Sequence, residues 1–231
     1  MAIPICLALT AAELAGMQDT PSPMGWLACH FSPYSQGLSN MPPPLQPDSV
    51  LILDDSNPFT VHQGTLIVEQ LLEYQKTCPI KALVLDFQYQ NDRNLRILAD
   101  LLRAKLPYPV IAPPEYAGAD SPVLLPPCPL QLPLAEHIAP YQNRQIWLEI
   151  ALNGLNVTVT SSGCIQEPFE YGRDGAYPHW DPRLLCHYKI SKTPESITFQ
   201  MQRTRSGLTR LMTEAEDLGV CHAIGLWQEL K

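Results

Sequence analysis

No lysine or arginine occurs before Lys76, although Glu13, Asp19, Asp48, Asp54, Asp55, Glu69 and Glu73 all fall in that stretch. An acidic N-terminal third of this kind repels phosphate backbones and anionic headgroups, so neither nucleic acid nor a membrane surface is an expected partner. Charge of either sign is scarce: 16% of the 231 residues, with a formal net charge of -8. No apolar run approaches the roughly 18 residues that a membrane-spanning helix needs. The N-terminal MAIPICLALTAAELAGM has no basic start, and its apolar run breaks at Thr10, so it does not read as a secretory leader. A soluble, cytoplasmic chain is expected. No Gly-rich phosphate turn follows any apolar run, and neither the seven cysteines nor the six histidines show ligand spacing, so no nucleotide cofactor and no metal is expected. The odd cysteine count, mostly in apolar segments, fits small buried hydrophobes in a reducing compartment, with a disulfide framework or a zinc site as the alternative. There is no internal repeat and no low-complexity tail.

What the sequence does have is apolar content, 45%, and 24 prolines. That supports one sizeable core, hence a single domain over residues 1–231, with loops set by proline rather than by charge. Apolar runs suggest strands over 3–9, 25–31, 50–54, 82–87 and 109–112. Thr10 and Glu13 have capping-box spacing at the start of a short helix. Thr60 and Gln63 repeat that spacing before a helix over about 61–76, whose stripe is Ile67, Leu71 and Tyr74 and whose stop is Pro79. Asn91 or Asp92 caps a further helix carrying Leu95, Leu98 and Leu102 and ending before Pro107. Ten prolines between Pro107 and Pro140 exclude a long helix there, leaving room for a short strand within 122–128. Asn153-Gly154 reads as a hairpin turn between two strand-like runs, residues 161–183 as loop, and 184–190 with 196–201 as a second hairpin. A helix with the stripe Leu208, Leu211, Met212, Ala215 and Leu218 stops at Gly219, and CHAIGLW forms the last strand.

Strand–helix alternation with continuous apolar strands argues for a parallel sheet covered by helices. The expected fold is α/β, a compact, modified (β/α)8 TIM-like barrel with β-hairpin additions in the C-terminal half. An open sheet with antiparallel additions is the competing architecture. Barrels place reactive groups at the C-terminal ends of their strands. Polar residues stand there: His30, Asp54 with Asp55, Asp86 with Gln88, Glu115, and Trp227 with Gln228 and Glu229. Parity puts Val84, Asp86 and Gln88 on one face, and Ala223, Gly225 and Trp227 on another, where small residues under an indole leave space for a flat ligand.

LVLDFQ followed by a capped helix, together with a C-terminal helix running into GVCHAIGLWQEL, resembles glycoside hydrolase family 18, the chitinase-like barrels. That family's D-x-x-D-x-D-x-E motif falls on Lys81, Val84, Asp86 and Gln88, of which only Asp86 conforms, and its last-strand tryptophan falls on Trp227. The likeness covers 50–87 and 204–230 and leaves the middle unmatched. It implies that Asp86 and Gln88 contact a glycan and that Trp227 stacks on a sugar ring. In such enzymes the glutamate protonates the leaving oxygen and an aspartate orients the attacking N-acetyl group. A carboxamide cannot supply that proton, yet its NH2 still donates a hydrogen bond to a sugar oxygen. The implied protein is a pseudoenzyme that binds an amino-sugar polymer or related oligosaccharide with little or no hydrolysis.

Rival readings stand beside each residue. Asp86 is also placed to cap the next helix or to accept from a neighbouring amide, and Trp227 to be a core aromatic. Asp54-Asp55-Ser56-Asn57-Pro58 is a good turn sequence. Glu149 lies between Leu148 and Ile150. It needs either an exposed hairpin face or a partner and a raised pKa, and the latter makes it a candidate general acid. A hydrolase with acids relocated among Asp54, Asp55, Glu115 and Glu149 is therefore one rival function. A structural or interaction protein with no small-molecule site, its cleft closed by Pro-rich loops, is another; exposed apolar surface around MPPPLQP in place of an open pocket would favour it. Asn156-Val157-Thr158 matches a glycosylation acceptor, but no secretory signal accompanies it. The sequence leaves the oligomeric state and the identity of the glycan open.

Overall fold

The structure is a computed structural model that describes residues 3–34, 37–170 and 177–230. In chain order it begins with β1 (Ile5–Leu9), α1 (Ala11–Ala15), β2 (Met24–Phe31), β3 (Leu38–Ser39), β4 (Val50–Asp54) and α2 (Gly64–Thr77). Next come β5 (Ala82–Asp86), α3 (Arg93–Lys105), β6 (Val110–Ile111), β7 (Val123–Leu125), α4 (Leu134–Ile138) and β8 (Ile146–Glu149). A run of β9 (Asn153–Thr160), β10 (Gly163–Glu170), β11 (His179–Asp181), β12 (Cys186–Lys192) and β13 (Ser196–Gln202) leads into α5 (Arg205–Asp217), β14 (Val220–Leu226) and α6 (Trp227–Leu230).

The main sheet has the order β6-β5-β4-β2-β1-β14-β8-β7, and all of its neighbouring pairs are parallel; only the short β3, antiparallel to β2, departs from this. The sheet curls. Cys6, Ala8, Val50, Ile52, Ala82, Val84, Ile111, Leu124, Trp147 and Ile224 come from strands far apart in that order, yet they form one buried cluster on the inner face. The two ends of the sheet meet at one parallel bridge, Ala112 to Val123, where the Leu124 N–H donates to the Ala112 carbonyl at 2.8 Å. On the outer face, α2 and α3 bury Ile67, Leu71, Leu95, Leu98 and Leu102, while α5 buries Leu208, Leu211 and Ala215. Each such leucine or isoleucine contributes about 1.5–3 kcal/mol when fully buried.

The local signals act as their chemistry demands. Asp92 caps α3, accepting from the amides of Asn94 and Leu95. Glu13 and Gln63 reach back to the amides of Thr10 and Thr60 at 2.8 and 2.9 Å. Gly219 ends α5 with φ +84.

Two expectations fail. Asn153-Gly154 is not a turn: both residues lie in β9, and β8 pairs with β7 and β14 instead. A Cβ at Gly154 would stand 2.3 Å from the Phe169 ring, so this glycine serves close packing. Residues 161–183 are not all loop. β10 and β11 flank residues 171–176, which lie outside the described residues, and together with β9, β13 and β12 they form a five-stranded antiparallel sheet. Tertiary pairing thus overrides the Gly and Pro punctuation, while the second hairpin forms as expected from β12 and β13.

Candidate functional site

The strand register builds a polar row. His30 at the end of β2 lies beside Asp54 at the end of β4, and Asp54 lies beside Asp86 at the end of β5. Below Asp54 and Asp86 on the inner face are Ile52 and Val84, so parity turns both carboxyls toward the mouth of the curled sheet. Across the mouth, Glu149 ends β8 above Trp147 of the same inner cluster. A cavity of about 270 Å3 opens at this end, lined by Asp86, Gln88, Glu149 and Glu229 among apolar residues that include Leu27, Ile52 and Ile150.

Within it, the Gln88 carboxamide donates to Asp86 Oδ1 at 2.5 Å. Burial raises the pKa of Asp86 above the usual carboxylate range; the Gln88 hydrogen bond lowers it, and Asp54 and Asp55 nearby raise it again. Glu149 is pushed up to about 7, first by burial and then by the Asp86 charge. It has no hydrogen-bond or ion-pair partner among the described residues, and Glu229 Oε2 is buried with none. A carboxyl protonated near neutral pH is able to donate a proton or a hydrogen bond; beside it, Asp86 and the Gln88 amide present an acceptor and a fixed donor.

The other sequence candidates separate. Asp54 accepts from His30 Nδ1 at 2.5 Å and from the Ser56 amide at 2.9 Å, which bears out the turn reading of this segment. Asp55 is buried and accepts from the backbone amides of Gln88 (3.0 Å) and Tyr89 (2.9 Å), fixing the loop after β5. It borders a separate hollow of about 320 Å3 with Tyr89 and Asp92. Glu115 lines neither space.

Trp227 corrects the parity argument. Ala223 belongs to the outer core and Ile224 to the inner one, so the Ala223 face of β14 packs outward, although Gly225 near the strand end still borders the cavity. A Cβ at Gly225 would meet the Ile150 carbonyl at 2.6 Å; protein backbone, not open space, covers it. The strand ends at Leu226, and Trp227 begins α6, outside the cavity lining. Glu229, the third residue of α6, lines the cavity; the sequence named it among the strand-end polar residues but singled out Trp227 instead. A strand stop at Leu226 followed by a helical turn was the signal for it.

No protein-family profile and no curated protein sequence matches this chain. Solved structures do. The chitinase-like agglutinin of Robinia pseudoacacia superposes with a TM-score of 0.60 at 11% identity, over 97% of this chain and 94% of its own. A GH18 chitinase from Cycas revoluta, a mutant in complex with (GlcNAc)4, gives 0.57 at 9% identity over 98% and 94%. A chitinase from Chromobacterium violaceum gives 0.56 at 10% over 97% and 93%. At such identities the likeness is one of fold, and the fold this chain shares with them is that of the GH18 chitinases and chitinase-like proteins.

Proposed function

We propose that the chain is an eight-fold β/α barrel, joined at the Ala112–Val123 bridge, whose mouth binds an amino-sugar polymer or a related glycan with little or no hydrolysis. One observation carries the binding reading: Gln88, which the sequence resemblance aligns with the acid of the chitinase-like motif, lines the mouth cavity with its amide held by Asp86. A glutamine there keeps the shape and a donor and removes the proton, so recognition survives while acid catalysis is lost. The interaction-protein reading is weakened by the segment MPPPLQP itself, whose Met41 and Leu45 pack on the core and leave the mouth open.

Titration with chitin oligosaccharides tests binding, and Gln88→Glu tests the assignment. The variant is expected to raise turnover by about 10²- to 10⁴-fold over wild type, the usual worth of a general acid. A wild-type chain that binds none of these oligosaccharides would overturn the reading. A second reading, slow hydrolysis with Glu149 as the relocated acid, is favoured by the raised pKa of Glu149 facing Asp86. If it holds, Glu149→Gln abolishes trace wild-type activity while Gln88→Glu adds nothing.

A further inference from the structure

The mouth cavity is acidic and lacks a counter-ion. Its polar lining is Asp86, Gln88, Glu149 and Glu229, with no lysine, arginine or histidine beside them among the described residues. Asp86 has the Gln88 amide, but Glu149 has no partner, and Glu229 Oε2 is closed off from solvent without one. Carboxyls taken out of water without donors are costly, and the cost falls when a partner enters from outside. A hydroxyl or an N-acetyl N–H supplies a donor but leaves the negative charge unanswered. An ammonium group supplies both.

Resting on the reading that this cavity binds a glycan, we propose that its ligand is an amino sugar with a free, protonated amine, preferred over the N-acetylated form, and that Glu149 with Glu229 receives the ammonium. Leu27, Ile52 and Ile150 form apolar walls around the acids, which suits a sugar's C–H face. The volume lies near the small end of ligand pockets, about 300–1,000 Å3, and fits a short segment of chain.

A pH signature follows from the groups around Glu149: Asp86 across the mouth, with Asp54, paired to His30, and Asp55 behind it, and Glu229 on α6. Free Glu149 holds its proton up to about pH 7. A bound ammonium favours the carboxylate and expels that proton, so in the acidic range, where the free sugar amine is already protonated, binding releases protons and tightens as pH rises from about 5 toward 6; the effect levels off as the amine itself begins to titrate near neutral pH.

Calorimetric titration of the full chain with (GlcN)4 and with (GlcNAc)4 at neutral pH and physiological salt tests this. The free-amine tetramer is expected to bind roughly tenfold more tightly, a modest return for one ion pair in a partly buried site. Glu149→Gln should bring the two ligands within about twofold, and Glu229→Gln should move them the same way. Thermal melting of each variant establishes that it is folded. Equal or tighter binding of (GlcNAc)4 overturns the inference and leaves glycan binding standing; no binding of either removes both. A preference that survives in both variants assigns the attraction to the chain's net charge of -8 instead, and also overturns the inference.

Discussion

Glu149 is the acid flanked by hydrophobes, Leu148 and Ile150, both buried. That flanking pattern marked it as unusual in the sequence but left an exposed hairpin face open; the cavity in front of it and Asp86 across from it come from strands far away in the chain and decided the matter. Its ordinary value of 4.5 rises to about 7 in the folded protein. The folded state therefore keeps a proton that the unfolded chain releases between those values. Stability attributable to this group is full below about pH 4.5, falls as pH rises to about 7, and stays lower above that. Glu149→Gln removes the charge but not the shape. It should melt like wild type at pH 4 and be more stable at pH 8, by about 2 kcal/mol. A variant no more stable at pH 8 would mean that Glu149 ionises without cost. Trp227 shows the opposite case. The sequence placed it on the last strand with Ala223, but that strand ends at Leu226, and which side of β14 faces inward depends on the curl of the sheet.

At the scale of elements, caps and stripes were readable because they are local: Thr10, Thr60 and Asp92 all precede the helical turns they announced. Gly154 was misread because its reason is distant. It has no positive φ, unlike Gly37, Gly163 and Gly219, and its missing side chain makes room for Phe169 on the neighbouring β10. Gly154→Ala should lower the urea midpoint, with a loss of about 1–3 kcal/mol as the Phe169 ring is forced aside. A turn glycine with positive φ would carry a comparable penalty, so the discriminating variant is Gly154→Ala combined with Phe169→Ala. In the packing account the second substitution relieves much of the effect of the first. Additive losses would refute it.

At the scale of the whole molecule, the antiparallel sheet is tied to the main sheet by a buried cation. Arg203, 2% exposed at the end of β13, donates through its guanidinium to the carbonyls of Cys128 and Leu184, at 2.5 and 3.3 Å, and through its backbone to Asn153 at 2.9 Å. Burial lowers its pKa below the ordinary arginine range. Arg203→Ala strands two carbonyls and opens a cavity, so urea denaturation should show a loss of about 3 kcal/mol. A change under about 0.5 kcal/mol, the scale of an ordinary surface substitution, would show that the two sheets hold together without it. No helix among the described residues is long and apolar enough to cross a membrane. Among the described residues only α2, α3 and α5 are long. Proline-set loops and the second sheet occupy the places where further helices would cover the strands.

Hydrophobic periodicity and capping chemistry alone determined the parallel β/α run, its helix boundaries and the polar residues at its strand ends, because these depend on neighbours within a few positions. Tertiary structure decided which of those polar residues converge. Asp86, Gln88, Glu149 and Glu229 share one cavity; Asp54 and Asp55 brace loops and a histidine; Glu115 and Trp227 stand apart. The physical reason is curvature. Only the curl of the sheet sets which face is inside, and that curl is fixed by pairings between strands separated by most of the chain.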